Sequence, residues 1–342
     1  MNYTIVIPTY NRYKNLYRLL DFFGEIENKN FKILILDSSS HEIDNDLSKR
    51  IESNDNILLK KYDNNIFFAQ KLGQGTQFID TKYAIMCADD DYIFTDAVER
   101  CVNFLEENED FSLAHGRFVL HSYFNDDVIF ENTYQKDCSI ENDDFADRLY
   151  NHSSLYYPTF YSVHRSEEMK LIYQKASEYT DNFGLSEILP SFISILYGKK
   201  KVLEVLYSSR EKNKKAWIDS RHFLRLYSKN RLDKAIKGLA REIKFKHNIK
   251  LDECLEIAEK TILVYVDPII SRSRKGLVKE YIRKYFSFIL NEKKDPSKSV
   301  NPIIISELLE SDKLKLQNVK RYLMRYNLSA EIASTREGYE HY

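Results

Sequence analysis

Residues 83–96 read YAIMCADDDYIFTD, a short apolar run that ends on three consecutive carboxylates, Asp89, Asp90 and Asp91. Adjacent like charges repel one another, and a chain gains nothing for its fold by gathering them where a strand leaves the core. A bound divalent cation would stabilise them, because clustered oxygen ligands are what Mg2+ or Mn2+ prefers. A solvated turn would also hold them, since Asp favours turns and caps. The rest of the chain decides between the two.

Upstream, strand and helix patterns alternate. Tyr3–Ile7 is a short apolar run closed by Pro8, and a helix is expected from about Tyr13 to Glu27, with Leu16, Leu19, Leu20 and Phe23 at helical spacing. Lys32–Leu36 reads as a buried strand stopping at Asp37-Ser38-Ser39-Ser40. Asp44–Ser53 reads as a short helix, Ile57–Lys61 as a strand, and Gly75–Ile79 as the opening of a helix. Thr95–Asn108 is a helix with Thr95 as its expected N-cap. This alternation predicts an α/β fold, a mostly parallel central sheet flanked by helices. In such sheets ligands bind outside the carboxyl ends of the strands. Three of these ends carry polar clusters: Pro8-Thr9-Tyr10-Asn11-Arg12, Asp37-Ser38-Ser39-Ser40 and Asp89-Asp90-Asp91. Their convergence on one edge is what a nucleotide site needs, and it favours the cation reading.

Further on, Phe111–Phe124 reads as strand pairs around Gly116-Arg117, residues 126–144 as an acidic irregular insertion, and Pro158–His164 as a strand. Leu185–Leu196 reads as an apolar helix and Lys201–Tyr207 as a strand. Beyond Trp217 the pattern is helical: a helix over 231–246, then Cys254–Val266 and Leu277–Leu290, with 291–302 as a linker by composition. The expected division is a catalytic domain over 1–215 and an all-helical C-terminal region over 216–342.

The 342 residues are 43% apolar and 13% aromatic, enough for a packed core. Four dispersed cysteines with no CxxC pair argue against a zinc site or a disulfide framework and fit a reducing compartment. The amino-terminal stretch lacks the pattern of a signal peptide, and no apolar run approaches the length of a membrane span. A cytoplasmic location is expected. The net charge of −1 hides an acidic first part and a basic stretch over 199–250.

The ordered set TIVIPTYNR, ILDSSS and ADDDYI followed by TDA resembles the opening domain of family 2 glycosyltransferases, whose fold is called GT-A. The likeness covers about residues 1–125 and continues weakly to Arg210. It implies a nucleotide-diphospho-sugar donor, a UDP-sugar first, with Mn2+ or Mg2+ bridging its diphosphate. It places Pro8, Thr9, Tyr10 and Arg12 in the loop flanking the nucleotide and Asp37 at the base. Lys71, Gln74 and Gly75 fall at nucleotide or diphosphate contacts, although Lys71 equally suits a solvated surface position. Asp89 falls at the ribose and Asp90 at the metal, with Asp91 second or, if the register slips by one, the direct ligand. Ser38 and Ala88 depart from the family pattern.

The same resemblance expects a catalytic base at a helix start, where YTDNFGLSEILPSF offers Glu187 or, six residues earlier, Asp181. Either carboxylate could instead cap the helix. His164 and Arg165 fall on the acceptor side, though His164 also suits a hydrogen-bonded core position, and Arg210 with Trp217 falls over the diphosphate. A hydroxyl acceptor on a glycan or lipid-linked carrier, an inverting outcome and a role in bacterial surface polysaccharide synthesis are implied. The basic face of helix 231–246 suggests contact with an anionic membrane at its inner face, and the helical region offers a surface for homo-oligomers. Two other classes compete. A metal-dependent phosphotransferase would carry a small hydroxyl residue where Ile93 stands, and a nucleotidyltransferase would need a glycine-rich loop where PTYNR has none. A nucleic-acid-binding or anion-binding module built on 199–250 would need interleaved aromatics that are missing. No nucleic-acid partner is expected.

Overall fold

The computed structural model describes residues 2–27, 29–124, 127–132, 138–212, 232–286 and 309–326. Four parallel strands make the first half of a nine-stranded sheet: β1 (Tyr3–Thr9), β2 (Phe31–Asp37), β3 (Ile57–Lys61) and β4 (Tyr83–Met86). Their order is β3-β2-β1-β4, and the register pairs Thr9 with Asp37, Asp37 with Lys61, and Val6 with Met86. β1, β2 and β4 are covered on both faces, as continuous apolar runs in parallel sheets require. In register, their carboxyl ends arrive at one edge together.

β5 (Tyr92–Ile93), β6 (Phe111–Phe124), β7 (Asp127–Asn132), β8 (Val163–Arg165) and β9 (Lys199–Glu211) extend the sheet past β4 in the order β8-β6-β9-β5, with β7 on β6. Here antiparallel pairs mix with the parallel pair β6·β9, so the sheet is mixed beyond β4. β5 pairs with Ser208 and Ser209, which draws the end of β9 beside the three aspartates.

Helices α1 (Tyr13–Gly24) and α4 (Thr95–Glu107) lie on one face of the sheet. The other face carries α3 (Phe68–Gly75), α5 (Phe145–Ser154), α6 (Ser166–Tyr179) and α7 (Phe183–Tyr197). A short α2 (Asn45–Glu52) starts at Asp44, whose carboxylate accepts from the Asp46 and Leu47 N–H groups. Among the C-terminal helices, α8 (Leu232–His247) and α9 (Leu251–Phe286) bury Leu239, Ile243, Ala258 and Ile262 in the second core. α10 (Glu310–Tyr326) buries Leu316, Val319 and Tyr322 in the first, where Tyr322 meets Phe22 edge-on at 5.6 Å.

Several expectations are corrected. Gly75 closes α3 and leads only into a single 3-10 turn, Thr76–Phe78, not a longer helix. A Cβ there would lie 2.3 Å from Leu36 Cδ1, so the glycine is there for close packing on β2. Phe94, not Thr95, takes the cap position of α4. Phe111–Phe124 is one strand whose register shifts around Gly116, where a Cβ would come within 2.6 Å of the Val205 carbonyl. The acidic insertion contains β7, and the strand expected over Pro158–His164 shrinks to Val163–Arg165. The two helices expected over Cys254–Val266 and Leu277–Leu290 are one helix as far as Phe286. The linker at 291–302 and the Trp217 lid lie outside the described residues. Among those described, no helix is long and apolar enough to cross a membrane.

Candidate active site

The turn after β1 is built by Asn11, whose φ of 53° lies in the left-handed region that Asn tolerates better than most residues. Its backbone N–H donates to Ser39 Oγ at 2.8 Å, and its Oδ1 accepts from the Ser40 N–H at 2.9 Å. The β1 and β2 loops are thereby tied together, and Arg12, the residue before α1, is aimed at the end of β4. Arg12 Nη1 lies 2.9 Å from Asp89 Oδ1, and its Nη2 donates to Asp90 Oδ2 at 2.8 Å. Thr9 Oγ1 donates to the second oxygen of Asp89 at 2.7 Å.

Asp91 faces the other way. Tyr161 OH donates to its Oδ2 at 2.5 Å, the Glu211 N–H to its Oδ1 at 2.7 Å, and Arg210 Nε makes an ion pair at 3.5 Å. All three aspartates are buried. Burial pushes the Asp89 and Asp91 carboxyls up to about 6. Burial would raise Asp90 too, but the Arg12 guanidinium holds it below the usual range. Glu211, half-buried, is pushed up to about 7 by desolvation first and then by the charge of Asp90.

Asp37 is fully buried and accepts from Lys61 Nζ at 2.5 Å, Tyr13 OH at 2.8 Å and the Ser39 N–H at 2.8 Å. Burial works against its charge, yet these hydrogen bonds, that from Lys61 first, keep its carboxyl below the ordinary value. Lys71 is buried rather than solvated, donating to the Thr9 carbonyl at 3.0 Å and Ser38 Oγ at 2.8 Å. Burial lowers it to about 8. Tyr10, Ser38, Asn64, Phe67, Lys71 and Phe183 line a small depression beside it.

Glu187 lies half-buried on α7, within electrostatic reach of Arg210 and of the Tyr156, Tyr173 and Tyr265 phenols. Burial raises its carboxyl and Arg210 opposes the rise. Capping of α7 falls to Asn182, whose Oδ1 accepts from the Gly184 and Leu185 N–H groups. That frees Glu187 from the capping explanation. The Arg210 guanidinium stands 4.3 Å over the Tyr161 ring, so Asp91, Arg210 and Glu187 form one electrostatic chain across the site.

The structure thus gathers Thr9, Arg12, Asp37, Lys71, Asp89, Asp90, Asp91 and Arg210 at one edge, with Tyr10 beside them and Pro8 in β1, and it places Glu187 on α7 within electrostatic reach of Arg210. It leaves Gln74 and Asp181 exposed. His164 and Arg165 are spent on structure. The former is buried in β8, pushed down to about 4 by burial, and the latter donates to the Leu105 and Phe111 carbonyls at 2.7 and 2.5 Å. The basic segment also divides: Lys200 is buried, while Lys199 and Lys201 pair with Asp110, Asp143 and Glu141. Tyr13, Lys61 and Glu211 escaped the sequence reading, and Tyr161 fell in the stretch expected as a strand on the acceptor side, with no role at Asp91. Lys61 was within reach of it, since it ends the strand beside Asp37; Tyr161 and Glu211 carry no motif.

By chemistry the carboxylate set suits Mg2+ or Mn2+, which take oxygen ligands. As arranged, its oxygens are given mainly to protein donors, and among the described residues no three acidic, His or Cys side chains are grouped as a ready cation site.

Residues 4–165 match Glycosyl transferase family 2. This part of the chain belongs to that family. The protein is a glycosyltransferase, and the matched stretch holds the β1, β2 and β4 loops described above, while Glu187, Arg210 and Glu211 lie beyond it. No curated protein matches the chain. Among solved structures, S. aureus TarS 1–349 in complex with UDP-GlcNAc is 14% identical over 81% of this chain and 92% of that one, with a TM-score of 0.49. The corresponding UDP complex has the same identity and coverage and a TM-score of 0.48. At this distance the likeness adds nothing to the family assignment.

Proposed function

We propose that this glycosyltransferase moves a sugar from a nucleotide-diphospho-sugar, a UDP-sugar first, to a hydroxyl of a glycan or lipid-linked acceptor, with inversion. The reading rests on one observation: Thr9, Asp37, Lys71 and Asp89–Asp91 meet at the carboxyl edge of the sheet, and Glu187 lies within electrostatic reach of Arg210, which pairs with Asp91. Tyr10, Phe67 and Phe183 beside Lys71 offer aromatic faces for a base, and Lys71 and Arg12 supply positive charge for a diphosphate.

Glu187 acts as general base. Raised by burial, its carboxylate takes the proton of the acceptor hydroxyl as that oxygen bonds to the anomeric carbon and the bond to the nucleoside diphosphate breaks. One displacement from the face opposite the leaving group inverts the configuration. A divalent cation, held by Asp90 with Asp89 or Asp91, would take up charge on the departing diphosphate as a Lewis acid. Arg210 steers the Asp91 and Glu187 charges relative to one another.

The test is nucleotide release from UDP-, GDP-, dTDP- and CDP-sugars with and without Mn2+ or Mg2+. Product stereochemistry is read from the anomeric proton coupling. No release from any of the four donors would sink the reading.

A surface role for α8 has its own support. Lys234, Lys237, Arg241 and Lys244 turn outward, and Phe245 beside them is 77% exposed. We propose contact with anionic lipid headgroups, each basic residue contributing about 1 kcal/mol. Co-sedimentation with anionic but not neutral liposomes, abolished by salt, is expected.

A further inference from the structure

The carboxylates that would hold a cation are already closed on one. The Arg12 side chain is only 9% exposed and lies against Asp89 Oδ1 at 2.9 Å and Asp90 Oδ2 at 2.8 Å, so one planar guanidinium fills the space between two consecutive aspartates. Thr9 occupies Asp89 Oδ2, while Tyr161 and the Glu211 N–H occupy the oxygens of Asp91. A divalent cation needs those lone pairs, and it would be repelled by a guanidinium a few ångströms away. Arg12 and a cation therefore compete for Asp89 and Asp90.

The backbone of Arg12 is fixed by the Asn11 turn, but its side chain is long, and a guanidinium binds phosphate as readily as carboxylate. Lys71, a second buried cation beside Arg12, is held by the Thr9 carbonyl and Ser38 on the same edge. A diphosphate arriving there gives Arg12 an alternative anion. We propose that Arg12 is an internal cation that closes Asp89 and Asp90 in the donor-free protein. A nucleoside diphosphate draws it away, so that the divalent cation enters only together with that ligand. Arg12 is thus a positioning residue that couples the two binding events. The inference rests on the donor-site reading above.

Because coupling is reciprocal, Mn2+ and UDP should tighten one another by the same factor. The experiment is Mn2+ uptake by the full chain, followed by electron paramagnetic resonance, with and without UDP, beside calorimetry of UDP with and without Mn2+. In the wild type, UDP should tighten Mn2+ by roughly ten-fold or more, within the usual range of coupling between sites. Arg12→Gln, which loses the guanidinium, should take up Mn2+ alone at least about ten-fold more tightly than the wild type and lose most of the enhancement by UDP. Arg12→Lys, which keeps the charge but cannot bridge both carboxylates, should lie between, and it serves if Arg12→Gln fails to fold. Equal Mn2+ uptake without UDP by the wild type and the variants, whether tight or absent, overturns the proposal. If UDP binds the wild type under no condition, the donor-site reading itself fails. If UDP binds and the variants change nothing, only the role of Arg12 does.

Discussion

Arg210 and Asp91 form an ion pair at 3.5 Å between the end of β9 and the loop after β4. The contact joins residues more than a hundred positions apart, and the Glu211 N–H and Tyr161 hydroxyl add two hydrogen bonds to the same carboxylate. Asp91 is therefore a clasp that holds the last strand against the site.

Asp90 and Asp91 should respond differently to substitution. Asp91→Ala takes the acceptor from the Tyr161 hydroxyl and the Glu211 N–H and breaks the Arg210 ion pair, and a buried group left unsatisfied costs about 1–3 kcal/mol. Its melting temperature should fall by several degrees. Asp90→Ala removes a carboxylate whose main partner, Arg12, keeps Asp89, so the fold should survive while cation-dependent nucleotide binding is lost. Differential scanning calorimetry with UDP titration separates the two outcomes; equal destabilisation would contradict the clasp.

Glu187→Gln preserves shape and removes basicity. Turnover should drop roughly 10²–10⁴-fold while donor affinity holds. Because burial raises the Glu187 carboxyl, the acid limb of kcat should lie above the ordinary glutamate range in the wild type and vanish in the variant. Asp181→Asn, at an exposed position, should change little. A pH profile of kcat that is the same in Glu187→Gln as in the wild type would remove it as the base.

Acid should destabilise the fold below about pH 6.5, the ordinary histidine value. His115 and His121 are held neutral by burial down to about 3, His164 to about 4, and His152 well below its ordinary value. Their folded pKa values lie below the unfolded one, so the unfolded chain binds more protons as pH falls, and stability is lost. Each contributes about 1.4 kcal/mol per pH unit between the two values. Asp89 and Asp91, raised to about 6, and Glu211, raised to about 7, act in the opposite direction, as do Glu187 and Glu168, whose carboxyls burial also raises; each gains stability as pH falls towards the ordinary carboxylate range. The four histidines all titrate in the unfolded chain from about pH 6.5 downward and outweigh these carboxylates between about pH 6.5 and 5. Melting temperature should decline from pH 7 to 5, and a rise over that range would show that the histidines are not held neutral.

Gly238→Ala tests whether α8 is integral to the fold. A Cβ there would lie 2.3 Å from Tyr179 Cγ, and Tyr179 is held by the Glu242 carboxylate. Overpacking costs about 1–3 kcal/mol, more than the roughly 1 kcal/mol that a helix gains from glycine to alanine. A lower melting temperature is expected, and an unchanged or higher one would mean α8 can shift at no cost.

What the sequence determined by itself is what depends on near neighbours. Apolar runs of strand length, alternating with amphipathic helices, specify the parallel half of the sheet. Its carboxyl ends, at Thr9, Asp37 and Asp89–Asp91, were legible because parallel register puts consecutive strand ends on one edge. The left-handed turn at Asn11 is likewise local. Tertiary structure alone decided how those groups are used. That Arg12 spans Asp89 and Asp90, that Lys71 is buried, that Asp91 faces Arg210 and Tyr161, and that Arg165 ties down α4 all depend on contacts between distant segments. The C-terminal helices show the same limit. Their amphipathic pattern promised helices, but which face of the sheet each would cover was settled by the apolar surfaces left open, α8 and α9 on one side and α10 on the other. Periodicity encodes which side of an element is buried, and only packing chooses its partner.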